Sequence, residues 1–252
     1  MRGMLLLVIG LINKIVEMGV GSKSFPQESA PPAVLESPRP LVSSTSRKGS
    51  FVWLEILIVF GLLEAVMWTP RSAFHSCLIV LEVAVVLWLG LQGYSKAELG
   101  LVWPSWAGTL RILLIGGAAA IAIPLLALAT GHAVPANADW PQLKNLWPYV
   151  IWAFAQQFLL QSFFFVRVES LVGSRWAVIA STLLFTLAHL PNAALTIMTF
   201  VGALFFTELF RRYRSIYPLG IVHAILGIAI AYSFPDSIMH HMRVGLSYWQ
   251  FH

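Results

Sequence analysis

Seven long apolar stretches occupy most of the chain after residue 50, and they constrain its fold more than any other feature. They run over residues 51–68, 74–92, 106–130, 147–166, 176–190, 192–210 and 216–234. An apolar stretch of about 20 residues crosses a bilayer as an α-helix, because hydrocarbon offers no partner for an unpaired backbone amide. The sequence therefore predicts an all-α fold, a polytopic membrane helical bundle of about seven transmembrane helices.

The composition supports this class and excludes several others. Apolar residues make up 58% of the chain and charged residues only 11%, whereas soluble domains carry about 25% charge. The net charge of +5 comes without a basic patch interleaved with aromatic residues, so no nucleic-acid partner is predicted. Because the chain has a single cysteine, Cys77, a disulfide framework and a thiolate metal site are excluded. Cys77 lies inside an apolar run.

Residues 1–50 differ from the rest of the chain and form an N-terminal segment. Residues 4–12 predict a short apolar helix that lies at the membrane interface, with a signal anchor as the alternative. Residues 21–50 are rich in Pro and Ser and predict a flexible tail. The transmembrane domain then covers residues 51–252, and its amphipathic end at 236–252 suits a membrane interface.

The basic residues in the short loops predict an orientation. One side of the membrane would hold Arg47, Lys48, Lys96, Arg167, Arg175, Arg211, Arg212 and Arg214. The opposite loops hold only Arg71 and Lys144, with Arg243 in the C-terminal segment. Because cytoplasmic loops carry an excess of Lys and Arg, we expect a multi-pass protein of a bacterial-type inner (plasma) membrane with its basic loops in the cytoplasm.

Three polar clusters interrupt the apolar stretches between residues 147 and 227. They consist of Gln156, Gln157 and Gln161, then His189 and Asn192, and finally His223. Such side chains either join packed helices, at about 1 kcal/mol for each hydrogen bond, or mark a functional site. The presence of all three clusters favours a site, in which His189 and His223 would lie beside Gln156.

The motifs around these residues are those of a known family. Phe185 and His189 fit an FxxxH motif that Asn192 closely follows, and His223 comes after an Arg-rich turn. In this order of motifs, residues 147–234 resemble the CPBP (Abi) family of intramembrane endopeptidases. The family includes CAAX prenyl proteases of the Ras-converting type and bacteriocin-processing proteins. The resemblance implies a membrane-embedded protease fold that acts on a hydrophobic or prenylated peptide among membrane lipid.

The chain departs from the family in two motifs. Where the family has EExxxR, Gln156 and Gln157 replace the glutamates and Gln161 replaces the arginine. The leading glutamate of the family is held to activate water, whereas a carboxamide has no useful basicity; losing a general base costs about 100- to 10,000-fold in rate. Replacing the arginine as well removes a cation that two neutral amides could not pair. In the third motif, Gly227 stands where the family has Asn.

The resemblance assigns two sets of site residues. The catalytic positions are Gln156, Gln157, Gln161, His189 and His223, and the substrate-binding positions are Phe185, Asn192 and Gly227. Whether a cofactor is bound stays open: His189 and His223 could ligate a divalent metal, and the alternative is that none is bound.

Two functions also stay open. One is a CAAX prenyl endopeptidase-like enzyme that uses another carboxylate as its base. Glu208 and Glu169 are the nearest in sequence, but Glu208 is expected to pair with Arg211 and Arg212, and Glu169 to lie in a polar loop. The other is a non-catalytic member that binds a peptide or lipid in a neutral intramembrane cavity, in a scaffold, chaperone or immunity role. A transporter is least supported, since no paired repeats are found.

Overall fold

A computed structural model describes residues 49–134 and 146–250 of the chain. All the regular elements in these two ranges are helices, which confirms the all-α prediction. The predicted helix at residues 4–12, the Pro- and Ser-rich tail up to residue 48 and most of the loop after the third apolar stretch lie outside the described residues.

Seven main helices correspond to the seven predicted stretches. They are α1 (Gly49–Trp68), α2 (Ala73–Gly90), α3 (Trp106–Ala129), α4 (Trp147–Val172), α5 (Ser174–Leu187), α6 (Ala193–Tyr213) and α7 (Tyr217–Ser233). Five of them, α1 to α4 and α6, are long and apolar enough to cross a membrane. Helix α7 adds a sixth span if it is counted with the segment Asp236–Met242, which follows a bend of 116°. Helix α5 has 14 residues and rises only about 21 Å.

One end of the bundle, which we call the basic end, is held together by two ion pairs. Arg167, near the end of α4, is fully buried and lies 2.8 Å from Glu55 of α1. Its guanidinium also donates to the Leu89 carbonyl at 2.6 Å and lies 3.9 Å from the centre of the Phe163 ring. These contacts fix α1 and the last turn of α2 against α4.

The second ion pair joins α4 to α6. Glu169 pairs with Arg214, the residue that ends α6 in a left-handed conformation at φ 46°. The Ser174 hydroxyl donates to the same carboxylate at 2.6 Å. Glu169 is therefore buried inside α4, because the helix extends to Val172, and the loop position expected for it is wrong.

The opposite end of the bundle is closed by the C-terminal segment, residues 236–250. It contains α8 (Asp236–Met239), a 3₁₀ turn (His240–Met242) and α9 (Leu246–Trp249). The Asn192 amide group donates to the carbonyls of Met239 and Arg243 at 2.9 and 3.1 Å, and Gly245 N donates to the Leu190 carbonyl at 2.7 Å. The segment thus covers the loop that carries His189.

Asn192 holds this end of the molecule in more than one way. Its side-chain oxygen accepts from Leu195 N at 3.1 Å and caps the start of α6. The residue is fully buried, and its amide is engaged by its own helix and by the C-terminal segment. These contacts are structural, and the predicted part of Asn192 in substrate binding stays a prediction.

Replacing Asn192 should therefore release the C-terminal segment. We expect Asn192→Ala to lower stability by about 2–3 kcal/mol, since it removes a helix cap and two hydrogen bonds to carbonyls. Thermal unfolding in detergent measures the loss, and limited proteolysis should show faster cleavage within residues 236–250. The control is Ser105→Ala, which removes only the cap that Ser105 provides to Gly108 N at the start of α3. Equal proteolysis of both variants would contradict this role of Asn192.

Candidate functional site

The glutamines lie where α4 changes its helical geometry. Residues Trp147–Gln157 are α-helical, Phe158–Phe165 form a wider π-helix, and Val166–Val172 are α-helical again. Gln157 is the last residue before the π-helical stretch and Gln161 lies within it. Short π-helical stretches are often found at functional sites. Gln157 is the eleventh residue of α4, so it lies about 15 Å from the start of the helix, a distance of about half the hydrocarbon thickness of a bilayer.

A chain of neutral hydrogen bonds connects α4 to α7. Gln161 Nε2 donates to Gln157 Oε1 at 3.4 Å, and Gln157 Nε2 donates to His223 Nδ1 at 3.0 Å. Both glutamines are fully buried. An amide NH₂ group can only donate, so His223 accepts at Nδ1 and carries its proton on Nε2. The three side chains are therefore all uncharged, and His223 keeps an Nε2–H donor for another partner.

His189 has the opposite tautomer. Its Nδ1 lies 2.8 Å from the Phe185 carbonyl, which can only accept, so Nδ1 carries the proton and Nε2 keeps a lone pair. The rings of Phe185 and His189 are 4.9 Å apart, and His223 stacks on Phe206 at 5.2 Å. At Nε2, His189 therefore offers an acceptor and His223 offers a donor.

Gln156 differs from the other two glutamines. Its side chain is half-buried, and within the described part of the chain it makes no hydrogen bond. The structure thus brings Gln157, Gln161 and His223 into one chain of contacts and leaves the Gln156 amide available beside them. The partner of Gln161 is Gln157, four residues before it on the same helical face, rather than Gln156.

Tyr149 is a residue of this site that the sequence reasoning missed. Gly227 is four residues after His223, so the two lie on the same face of α7. A Cβ atom on Gly227 would overlap the Tyr149 hydroxyl, and one on Gly220 would approach the Phe154 ring to 2.6 Å. The signal in the sequence was Gly227 itself, because a glycine where a polar side chain is expected indicates that another group occupies its space.

Three of the carboxylates that might replace the missing base are engaged elsewhere. Glu208 accepts two hydrogen bonds from Arg211 at 2.8 Å and one from Arg212 at 2.6 Å, which confirms the expected pairing. Glu169 and Glu55 belong to the ion pairs of the basic end. These three carboxylates therefore have cationic partners.

The donors do not fit a catalytic metal centre. No group of three His, Cys, Asp or Glu side chains that could hold a metal occurs within residues 49–134 and 146–250. A catalytic zinc site uses three protein ligands, whereas this site offers two imidazoles among amides, and Nδ1 of His223 is already engaged by Gln157. We therefore derive no chemical step through a metal.

The contact between Gln157 and Gln161 gives a testable prediction. Gln161→Arg places a cation at a fully buried position where the hydrogen-bond partner among the described residues is the neutral Gln157 amide, so we expect a loss of about 3 kcal/mol. Adding Gln157→Glu supplies a carboxylate to the new cation and should recover most of this loss. The measurement is thermal unfolding of the single and double variants.

The matched control for this cycle is Gln156→Glu, which adds the same carboxylate one residue away, where no hydrogen bond to Gln161 occurs within the described residues. Recovery with Gln156→Glu but not with Gln157→Glu would show that the hydrogen bond between Gln157 and Gln161 is wrong.

Comparison with protein families agrees with the motifs. Residues 139–229 match the model of a family described as type II CAAX prenyl endopeptidase Rce1-like. The matched range contains every residue of the candidate site, from Tyr149 to Gly227. A search of curated proteins found no match to the chain. Residues 139–229 of this integral membrane protein are therefore similar to the Rce1-like family, in agreement with the CPBP resemblance of the motifs.

Proposed function

We propose that this protein is a non-hydrolytic member of its family, one that binds a hydrophobic or prenylated peptide within the membrane. The observation that carries the proposal is the neutral hydrogen-bonded chain from Gln161 through Gln157 to His223. The glutamate that is held to activate water in the family is replaced by an amide, and none of these three groups offers a free proton acceptor of useful basicity in the inferred tautomer. The remaining candidate base is His189, which keeps a lone pair at Nε2 and is tested below by His189→Ala.

The neutral chain also supports a retained site over simple loss of function. The Gln157 amide uses its oxygen towards Gln161 and its nitrogen towards His223, so both of its ends are satisfied. A buried polar group without partners would cost about 1–3 kcal/mol. Gln157 and His223 therefore suit each other, whereas among the described residues Gln161 Oε1 is buried without a hydrogen-bond partner and the Gln156 amide makes no hydrogen bond.

A peptide suits the groups that remain available. Gln156 offers an amide that can both donate and accept, His189 offers an acceptor at Nε2, and His223 offers a donor at Nε2. A peptide backbone carries matching carbonyl and N–H groups, and a hydrophobic or prenylated chain would lie in the surrounding lipid at little cost.

One experiment tests binding and hydrolysis together. A fluorescent farnesylated tetrapeptide is followed with purified protein in lipid nanodiscs, by anisotropy for binding and by chromatography for cleavage. We expect the natural protein to bind this peptide and leave it intact. The triple variant Gln156→Glu, Gln157→Glu and Gln161→Arg should gain cleavage by roughly 100-fold, because it restores a base.

The control is Gln250→Glu, which adds a carboxylate at an exposed position outside the site and should stay inactive. Cleavage by the natural protein that disappears in His189→Ala would contradict the proposal and establish an enzyme with a different base. Absence of peptide binding would also contradict it.

We further propose that the protein lies in a bacterial-type inner (plasma) membrane and that its basic end faces the cytoplasm. Its support is the position of Lys96, Arg175 and Arg214 in or beside connections at this end. In a Cys77→Ser background, Arg175→Cys should resist a membrane-impermeant maleimide in intact cells, whereas Ser237→Cys at the opposite end should react. Both positions are exposed. The reverse labelling would overturn this orientation.

A further inference from the structure

We propose that the Tyr149 hydroxyl binds the peptide, by donating a hydrogen bond to one of its backbone carbonyls. The inference rests on the proposed function, because it names a residue that would hold the ligand of the same site. Tyr149 lies outside the three motifs through which the family resemblance was recognised, and neither the motifs nor the family match assigns it a role.

The Tyr149 hydroxyl lies beside the part of α7 that carries His223. Its hydroxyl occupies the space directly over Gly227, where any side chain at that position would begin. Gly227 follows His223 by one helical turn, about 6 Å along the same face of α7. The Tyr149 hydroxyl therefore lies on the same side of α7 as the imidazole that ends the neutral chain.

The hydroxyl is also available to a ligand. The Tyr149 side chain is half-buried, and no hydrogen bond joins it to another residue in the ranges that the structure describes. A phenol O–H is a good donor that a membrane interior does not satisfy, so a partner for it is favoured strongly. The His223 Nε2–H group has the same requirement, since only Nδ1 is engaged by Gln157.

The chemistry of these donors selects the class of ligand. Tyr149 offers an O–H donor and His223 an N–H donor, and the Gln156 amide of α4 can both donate and accept. A peptide backbone carries a carbonyl acceptor at every residue, whereas a hydrocarbon chain offers no acceptor.

The test compares two ligands in lipid nanodiscs. The first is the fluorescent farnesylated tetrapeptide and the second is a prenyl thioether without any peptide. We expect Tyr149→Phe to weaken binding of the peptide about 5- to 10-fold, the usual effect of losing one such hydrogen bond, and to leave binding of the thioether unchanged. The control is Tyr217→Phe at the basic end, where the Tyr217 ring stacks on Trp103 at 4.8 Å; it should change neither affinity.

A second pair of variants guards against a simple packing effect. Tyr149→Ala should weaken peptide binding, and adding Gly227→Asn, which supplies an amide donor in the vacated space, should recover it in part. Melting temperatures of all variants show that they fold.

Each outcome decides between the proposals. Equal peptide affinity of the natural protein and Tyr149→Phe overturns the role of Tyr149 and leaves the proposed function standing. Equal weakening of both ligands also overturns it, since Tyr149 would then act only by packing. If the natural protein binds no peptide, the proposed function fails and this inference fails with it.

Discussion

The fully buried guanidinium of Arg167 is the interaction on which the arrangement of the other helices depends. An uncompensated charge in such a place would cost several kcal/mol, so the bundle must bring partners to it. Glu55 arrives from α1, the Leu89 carbonyl from the last turn of α2, and the Phe163 ring from α4 itself. Together with the Glu169 pair to Arg214, these contacts anchor the C-terminal half of α4 and leave its N-terminal half to form the site.

The same requirement explains why the site is neutral. Arg167 and Gln161 lie six residues apart on one helix and are both fully buried. Arg167 is charged and has the Glu55 carboxylate beside it, whereas Gln161 is neutral and contacts the Gln157 amide. A buried charge is retained in this protein where a partner exists, and neutral groups stand where the carboxylate partner is absent. The loss of glutamates and the loss of the arginine in the first motif are thus one physical change.

The helices could be predicted from the sequence, because apolar runs are local features, and the polar interruptions of these runs marked Gln157, Gln161 and His223 as candidates. Contacts between residues that are far apart in the sequence could not be predicted in this way. Glu169 was expected in a loop because its partner, Arg214, is 45 residues away. The contact between Gln157 and Gln161, by contrast, has the four-residue spacing of neighbours on one helical face and is a local feature. Tyr149 was missed because its importance appears only when α4 packs against α7.

The packing of α4 against α7 finally decides how the site can be built. A hydrogen bond of 3.0 Å between Gln157 and His223 requires the two helices to approach closely. Gly220 and Gly227 lie seven residues apart on one face of α7 and permit this approach. Because they have no side chains, the Phe154 ring packs against Gly220 and the Tyr149 hydroxyl against Gly227. The glycine at position 227 therefore does more than omit a polar group. It admits a hydroxyl from α4 in its place, so that the helix which lost its carboxylates also supplies a new donor to the same site.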